Sequence, residues 1–166
     1  MTADRRDGHV PPIAGSLTRS GPPWRTPYEA SGGVGSWKGG GKTKSASELV
    51  AEAKTQVESL DADAVETELD SGNAVLVDLR EAEELTANGR IPDSVHVPRG
   101  MYEFRADPTS PYHQESFDRS RRIIVHCASG GRSALGAATL QAMGHSNVAH
   151  LEGGVTAWKE AGKPVE

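Results

Sequence analysis

Short apolar runs alternate with amphipathic stretches along the chain from residue 45 onward. Several of these runs are rich in β-branched residues, which is typical of strands buried on both faces. Predicted strands accordingly occupy 74–77, 94–97, 122–126 and 148–151. Between them, apolar side chains recur every three or four positions, as on one face of a helix. Strands that alternate with helices predict an α/β fold, a parallel sheet of about five strands with helices on both faces.

Capping residues mark where the first helices begin. Ser45 with Glu48 matches the capping box, in which two residues satisfy each other's backbone N–H groups. Asp61 is placed to cap a second helix and Gly72 to end it. The acidic segment 81–85 opens a third helix, because carboxylates stabilise the positive N-terminus of a helix.

The second half of the chain predicts two more helices. One spans 132–143 and the other 155–161, and a glycine follows each of them. The first is expected to turn three apolar side chains inward, those of Leu135, Ala138 and Ala142. The connection over 98–120 is long, and Ser110-Pro111 favours a short helix within it.

Residues 1–44 differ in composition from the remainder. Glycine and proline recur, and no helical or alternating period is found. The segment holds seven Lys or Arg and three acids, so it is basic within a chain of net charge −5. It buries too little apolar surface to offset the entropy of ordering. We predict a disordered basic tail over 1–44 and one folded domain over 45–166. A transit peptide and a partner-binding stripe stay open for the tail, the stripe comprising Trp24, Tyr28 and Trp37.

Charge and composition argue against several classes of function. The modest negative net charge does not suit a nucleic-acid binder, and no run of about 18 apolar residues suits a membrane span. Six histidines without HxH or HExxH spacing and one cysteine provide neither a metal site nor a disulfide. We therefore expect no metal, no cofactor, no nucleic-acid partner and no membrane partner. A lone thiol favours the reducing cytoplasm.

The stretch HCASGGRS at 126–133 places the one cysteine, Cys127, at the end of an apolar strand. A thiolate, rather than a thiol, is a nucleophile. The small residues at 128–131 allow successive N–H groups to converge on an anion, and the next helix directs its positive end at the same turn. Arg132 adds a charge unless its side chain points into the scaffold. This pattern predicts a nucleophilic cysteine, whereas a lone cysteine that ends a buried strand is otherwise a small apolar filler.

The spacing between the cysteine and the arginine separates two anion chemistries. Protein tyrosine phosphatases place five residues between HC and RS or RT, and their loop surrounds a phosphate. Here four residues separate Cys127 from Arg132. A loop that is one residue shorter suits a single extra sulfur atom on the cysteine better than a phosphate group.

Three segments together resemble the single-domain rhodaneses, which are sulfurtransferases. VLVDLRE at 75–81 is similar to the family's strand ending in D-x-R-E, and GRIPDSVHVPRG at 89–100 to its G-x-I-P segment. The stretch 126–158 resembles its active-site loop and helix and its L-x-G-G-x-x-x-W ending. The resemblance covers about residues 46–165 and implies a rhodanese-like fold.

The resemblance also implies a reaction through Cys127. The cysteine takes the outer sulfur of a donor such as thiosulfate and becomes a persulfide. It then hands that sulfur to a small-molecule acceptor such as cyanide or glutathione, or to a protein thiol such as that of thioredoxin. The implied substrate-binding loop comprises Ala128, Ser129, Gly130, Gly131, Arg132 and Ser133. Asp78 is implied to fasten the neighbouring loop and Arg80 to form a structural ion pair.

One position departs from the family. Some thiosulfate-using rhodaneses carry a cation directly after the cysteine, where this chain has Ala128. Thiosulfate is therefore expected to bind weakly, with Arg99, Arg105 or Arg132 as candidate substitutes. His126 is expected to point away from the site, since neighbours in a strand alternate between its faces. Two other functions stay open: a persulfide carrier that serves a partner, and an arsenate reductase or phosphatase on the same fold.

Overall fold

Five strands form one parallel sheet in the computed structural model, which describes residues 43–166. They are β1 (Glu58–Leu60), β2 (Ala74–Asp78), β3 (Val95–His96), β4 (Arg122–His126) and β5 (Val148–Leu151). Their order is β1-β5-β4-β2-β3, so β4 is central. The predicted parallel sheet is confirmed, although the sequence pattern does not reveal β1, which carries no apolar run. The predicted tail over 1–44 lies outside the described residues except for Thr43 and Lys44.

Six α-helices accompany the sheet within the described residues: α1 (Ala46–Gln56), α2 (Ala62–Asp70), α3 (Ala82–Asn88), α4 (Tyr102–Ala106), α5 (Gly131–Ala142) and α6 (Gly154–Glu160). The predicted caps are present. The Glu48 N–H donates to Ser45 Oγ at 3.2 Å, while the Ser45 N–H donates to the Glu48 carboxylate at 2.7 Å. The Ala64 N–H donates to the Asp61 carboxylate at 2.8 Å. These bonds satisfy N–H groups that lack partners within the helix.

The sheet separates two apolar cores because strand side chains alternate between its faces. One core joins side chains of β2 and β4 to those of α4 and α5, among them Val77, Val125, Tyr102 and Leu140. The other joins the alternate side chains of the same strands to those of α2 and α6, among them Leu76, Ile124, Val65 and Trp158. Helices on both faces are therefore confirmed, and Cys127 belongs to the first core.

The prediction for the inward face of α5 is wrong for Ala142, which is exposed, whereas Ala138 is partly buried and packs against the first core. The buried residues of α5 are Ser133, Ala134, Gly136, Ala137 and Leu140. Leu135 is only half-buried. The buried face is made of small residues because α5 packs closely on its neighbours: a Cβ on Gly136 would lie 2.7 Å from a side-chain carbon of Leu79. A search for large apolar residues does not detect such a face.

The predicted helix at Ser110-Pro111 is also wrong. The connection instead contains α4 and two short 3-10 turns, Arg99–Met101 and Glu115–Phe117. α4 is held by burial, since Tyr102 is fully buried and its ring packs edge-on against Phe117 with 5.6 Å between ring centroids. The segment after β3 is therefore packed onto the same core as Cys127.

Candidate active site

Cys127 directly follows the central strand β4 and precedes the N-terminus of α5, which begins at Gly131. In open parallel sheets, ligands bind outside the carboxyl ends of the strands. The turn between β4 and α5, residues 127–130, is therefore where the fold places a site. We call residues 127–133 the cysteine loop.

Two glycines let the cysteine loop approach the start of α6. Gly130 has a φ of 92°, in the left-handed region that favours glycine, and a Cβ there would lie 3.0 Å from Gly153 N. A Cβ on Gly154 would lie 2.3 Å from the carbonyl oxygen of Cys127. Any side chain at either position would therefore displace the loop.

The N-terminus of α6 fixes the orientation of peptide groups in the cysteine loop. The Val155 N–H donates to the Cys127 carbonyl at 2.9 Å. The Thr156 N–H and hydroxyl donate to the Ala128 carbonyl at 3.2 and 3.0 Å. In a trans peptide the N–H points opposite to the C=O. The N–H groups of Ala128 and Ser129 are therefore directed away from α6.

The sulfur of Cys127 is buried and hydrogen-bonded. The residue is 1% exposed. The Gly130 N–H donates to Sγ at 3.3 Å, and Sγ lies 3.7 Å from Ser133 Oγ. The N-terminus of α5, with its partial positive charge, lies beside this group. These contacts favour negative charge on the sulfur, and an apolar filler needs none of them.

Two cavities of the described domain lie at the end of the sheet opposite the cysteine loop, where β2 and β4 begin. One of about 460 Å³ is lined by Leu69, Ala74 and Trp158, and another of about 790 Å³ by Phe117 and Arg119. Both include Arg121, which precedes β4. Neither is lined by a residue of the cysteine loop.

Arg132 points into the scaffold, at Glu84 of α3. Its Nη1 and Nη2 donate to the two carboxylate oxygens of Glu84, at 2.7 and 2.6 Å. The hydrogen bonds from Arg132 lower the pKa of Glu84 to about 2. The hydrogen bonds to Glu84 raise the pKa of Arg132, and negative charge at Cys127 adds to this effect. The Arg132 side chain therefore interacts with both Glu84 and Cys127, and Glu84 offsets part of its charge beside the sulfur.

Asp78 and Arg80 form a buried ion pair beside the cysteine loop. Nε and Nη2 of Arg80 donate to the Asp78 carboxylate at 2.7 to 3.1 Å, and Nη2 also donates to the Gly89 carbonyl at 2.9 Å. Burial opposes ionisation of Asp78, but the hydrogen bonds from Arg80 and the charge interactions with His126 and Arg80 together outweigh burial, and the pKa of Asp78 is lowered. The Leu79 N–H donates to the His126 carbonyl at 2.9 Å, which ties this segment to the end of β4.

His126 faces Asp78, with 3.5 Å between Nε2 and the carboxylate. Burial lowers the pKa of His126 to about 4, so the ring is neutral near pH 7.

Arg99 pairs with Glu103 at 2.5 Å. No hydrogen bond joins Arg99 or Arg105 to the cysteine loop in the described residues, and their role as substitutes for the absent cation stays a prediction.

Residues 61–161 match the family model of the rhodanese-like domain. The chain belongs to this family. A sulfurtransferase from Allochromatium vinosum is 30% identical over 110 residues, which cover 66% of this chain and 94% of the relative. The thiosulfate sulfurtransferase GlpE from Actinobacillus succinogenes is 34% identical over 105 residues, covering 63% and 82%. The names of both relatives place this rhodanese-like domain among sulfurtransferase-like enzymes.

A solved structure from Rhodopseudomonas palustris shares the rhodanese-like fold at higher identity. It is 40% identical to this chain, with a TM-score of 0.71, and the match covers 76% of this chain and 97% of that one. That protein is of unknown function and is described as a possible tyrosine phosphatase. It therefore bears on the choice between sulfur transfer and phosphate chemistry.

Within residues 43–166 of the rhodanese-like chain, no helix is long and apolar enough to cross a bilayer. The longest described helix, α5, has 12 residues. Over the same stretch, no group of three or more His, Cys, Asp and Glu side chains is arranged to hold a metal ion.

Sequence reasoning missed two residues around the rhodanese-like cysteine, Glu84 and His150. Glu84 belongs to the capping box of α3, and this local role is enough to explain a glutamate at that position. Its partner Arg132 lies 48 residues away, so no local spacing indicates the pair. His150 lies in β5 among apolar side chains, and its Nδ1 is 3.4 Å from Ser133 Oγ. A polar residue inside a short buried strand is the signal that identifies it.

Proposed function

We propose that this rhodanese-like domain transfers sulfane sulfur through a persulfide on Cys127. The observation that carries the proposal is the Gly130 N–H, which donates to Sγ at 3.3 Å from a turn of four residues between Cys127 and Arg132. A backbone N–H that points at the sulfur from such a turn stabilises an anion there. A persulfide is such an anion, and it extends the cysteine by a single atom.

The proposed reaction consists of two displacements at sulfur. The Cys127 thiolate attacks the outer sulfur of a donor such as thiosulfate, the S–S bond of the donor breaks, and sulfite leaves with the electron pair. A thiophilic acceptor such as cyanide, glutathione or thioredoxin then attacks the outer sulfur of the persulfide, and the Cys127 thiolate leaves. A covalent intermediate divides one difficult transfer into two easier ones. The chain has no second cysteine that would discharge the persulfide.

The charges of the cysteine loop bear on the choice of donor. The loop contains one cation, Arg132, and Glu84 neutralises it. The sulfonate end of thiosulfate therefore gains little charge stabilisation here. We infer that thiosulfate is a weak donor and that the persulfide of a small thiol, which has no sulfonate to bind beside Arg132, is a better one.

The burial of Cys127 also favours sulfur transfer. Because the residue is 1% exposed, a narrow group that ends in sulfur reaches Sγ with less displacement of the turn than a bulky group does. The donor's outer sulfur is such a group, since a single bond attaches it to the leaving group. A phosphoryl group is wider, because three oxygens surround its phosphorus.

The Rhodopseudomonas palustris relative keeps phosphatase activity as the second candidate. In a phosphatase the loop arginine binds two oxygens of the phosphate. Here both terminal nitrogens of Arg132 are bound to Glu84, and the loop is one residue shorter than a phosphatase loop. Sulfur transfer therefore fits the geometry better.

Mass spectrometry of the intact protein tests the proposal. After incubation with thiosulfate or with glutathione persulfide, Cys127 is expected to gain the mass of one sulfur atom, and cyanide is expected to remove that mass as thiocyanate. Cys127→Ser is the matched control and should gain nothing. A protein that never gains sulfur from either donor, and whose hydrolysis of an aryl phosphate is lost in Cys127→Ser, is a phosphatase. Slow release to cyanide with fast transfer to a protein thiol would identify a persulfide carrier.

A further inference from the structure

A row of polar side chains leads from Cys127 through the interior to the surface. Sγ lies 3.7 Å from Ser133 Oγ, which lies 3.4 Å from His150 Nδ1. On the other side of the ring, Nε2 lies 2.9 Å from Ser59 Oγ and 3.6 Å from a carboxylate oxygen of Glu152. Ser133 and His150 are fully buried, whereas Ser59 and Glu152 are exposed.

The sheet positions His150 for contacts on both sides of its ring. In β5, His150 is in register with Val125 of β4 and with Ser59 of β1. Strands buried on both faces normally carry aliphatic side chains, and burial of an imidazole costs free energy unless its nitrogens are hydrogen-bonded. The two contacts offset that cost and hold Nδ1 toward Ser133.

His150 is neutral near pH 7. Burial lowers its pKa, and the Glu152 carboxylate opposes burial only in part. Lys54 of α1 pairs with Glu152, and its positive charge lowers the pKa of His150 further. The remaining polar groups beside the ring are the Ser133 and Ser59 hydroxyls and a backbone group of Leu151, whose hydrogen bond opposes the lowering of the pKa. A neutral imidazole carries its proton on either nitrogen, so it can accept a proton on one side and release one on the other without becoming a buried cation.

We propose that Ser133 and His150 form a proton relay for Cys127, in which Ser133 takes the proton of the thiol and His150 takes the proton that Ser133 releases. The relay rests on the proposed function, because it concerns how the attacking thiolate forms. In the thiol form, the S–H donates to Ser133 Oγ. The Ser133 hydroxyl is 3.0 Å from the Gly130 carbonyl, its acceptor there, and turns to His150 Nδ1 as the thiol ionises.

Ionisation of the thiol then moves one proton at each step. The S–H bond breaks as an O–H bond forms on Ser133, and the hydroxyl proton that Ser133 carried moves to His150 Nδ1. The Nε2–H bond breaks, and its proton passes to the Glu152 carboxylate and then to water. One proton leaves the protein, and Cys127 alone changes its charge. In the product, Nδ1–H donates to Ser133 Oγ and the Ser133 hydroxyl donates to the thiolate.

Alkylation of Cys127 by iodoacetamide tests the relay without a sulfur donor. The result is therefore independent of the sulfur-transfer assay, and either proposal can fail without the other. The thiolate is the form that reacts. In His150→Leu, the pH–rate profile is expected to move to higher pH, with a rate near pH 7 about tenfold below wild type, the scale of one hydrogen bond to a charged group. His150→Asn keeps a hydrogen-bonding atom near the position of Nδ1 and is expected to recover most of the rate.

His145→Leu is the matched control. His145 is also buried, and within the described residues no hydrogen bond joins it to Cys127 or Ser133. Its variant should keep the wild-type profile. An unchanged profile in folded His150→Leu overturns the relay. If that variant does not fold, ¹⁵N NMR of the wild type decides: the His150 proton is expected on Nε2 in the thiol form and on Nδ1 in the thiolate form, and one tautomer in both forms overturns the relay.

Discussion

Both terminal nitrogens of Arg132 donate to the carboxylate of Glu84, at 2.7 and 2.6 Å. The chain thus sets an anion against the one cation of its cysteine loop. Two parallel hydrogen bonds to a carboxylate also fix the guanidinium in orientation. The pair therefore links α3 to the start of α5.

Removal of the Glu84 charge is expected to improve the binding of thiosulfate. In Glu84→Gln, Arg132 is no longer neutralised, and its charge attracts the donor's sulfonate. We expect KM for thiosulfate to fall by about two- to fivefold, the scale of a partly exposed charge interaction. Glu83→Gln removes the neighbouring exposed carboxylate of the same helix and should leave KM unchanged. Steady-state formation of thiocyanate measures KM in both variants. A KM in Glu84→Gln that equals or exceeds the wild-type value would show that Glu84 does not weaken thiosulfate binding by neutralising Arg132.

Acid unfolding tests the same ion pair. The pKa of Glu84 is about 2 in the folded protein, below its ordinary value of 4.5. A carboxyl group with a lowered pKa stabilises the fold above the unfolded-state pKa, and this stability is lost as pH falls toward the folded-state value. Because the pair is partly exposed, its contribution is expected to be about 1 kcal/mol. Urea unfolding of wild type and Glu84→Gln should therefore give a difference that shrinks between about pH 5 and pH 2; a constant difference would refute this.

The sequence predicts the position of Cys127 at the end of its strand better than it predicts the residues around the sulfur. The apolar run over 122–126 locates a buried strand, and Cys127 at its end follows from the chain itself. The partners of Arg132 and Ser133 do not follow from local sequence. Glu84 lies in α3 and His150 in β5, and only the packing of these elements brings the two residues near the cysteine loop. Local spacing predicts caps and turns, while pairs between distant segments depend on the folded sheet.

The buried pair of Asp78 and Arg80 is expected to be important for stability. Asp78→Asn leaves the Arg80 charge buried without its counter-ion, since Arg80 is 1% exposed. Loss of one partner from a buried pair costs about 3–5 kcal/mol. The free energy of unfolding in urea should fall by this amount, and the double variant Asp78→Asn, Arg80→Leu should recover part of the loss because no unpaired charge remains.

A surface pair gives the control for this measurement. Arg90 and Glu166 pair at 2.7 Å with both side chains about half exposed. Such pairs contribute about 0–1 kcal/mol, so Glu166→Gln should change the free energy of unfolding far less than Asp78→Asn. Equal losses in the two variants would show that burial does not increase the contribution of the Asp78–Arg80 pair to the free energy of unfolding.

Gly154 is expected to be necessary for the shape of the cysteine loop. In Gly154→Ala, the new Cβ would lie 2.3 Å from the Cys127 carbonyl oxygen, so the loop must move and its bond from the Val155 N–H must lengthen. Gly72 has a similar φ of 73° and open space around it, so Gly72→Ala reports backbone strain alone, about 1–2 kcal/mol. Because a displacement of about 1 Å can cost about 100-fold in rate, Gly154→Ala should lose about that factor in kcat/KM for sulfur transfer, whereas Gly72→Ala should keep wild-type activity. Full activity in folded Gly154→Ala would mean that this approach of α6 does not set the geometry of the cysteine.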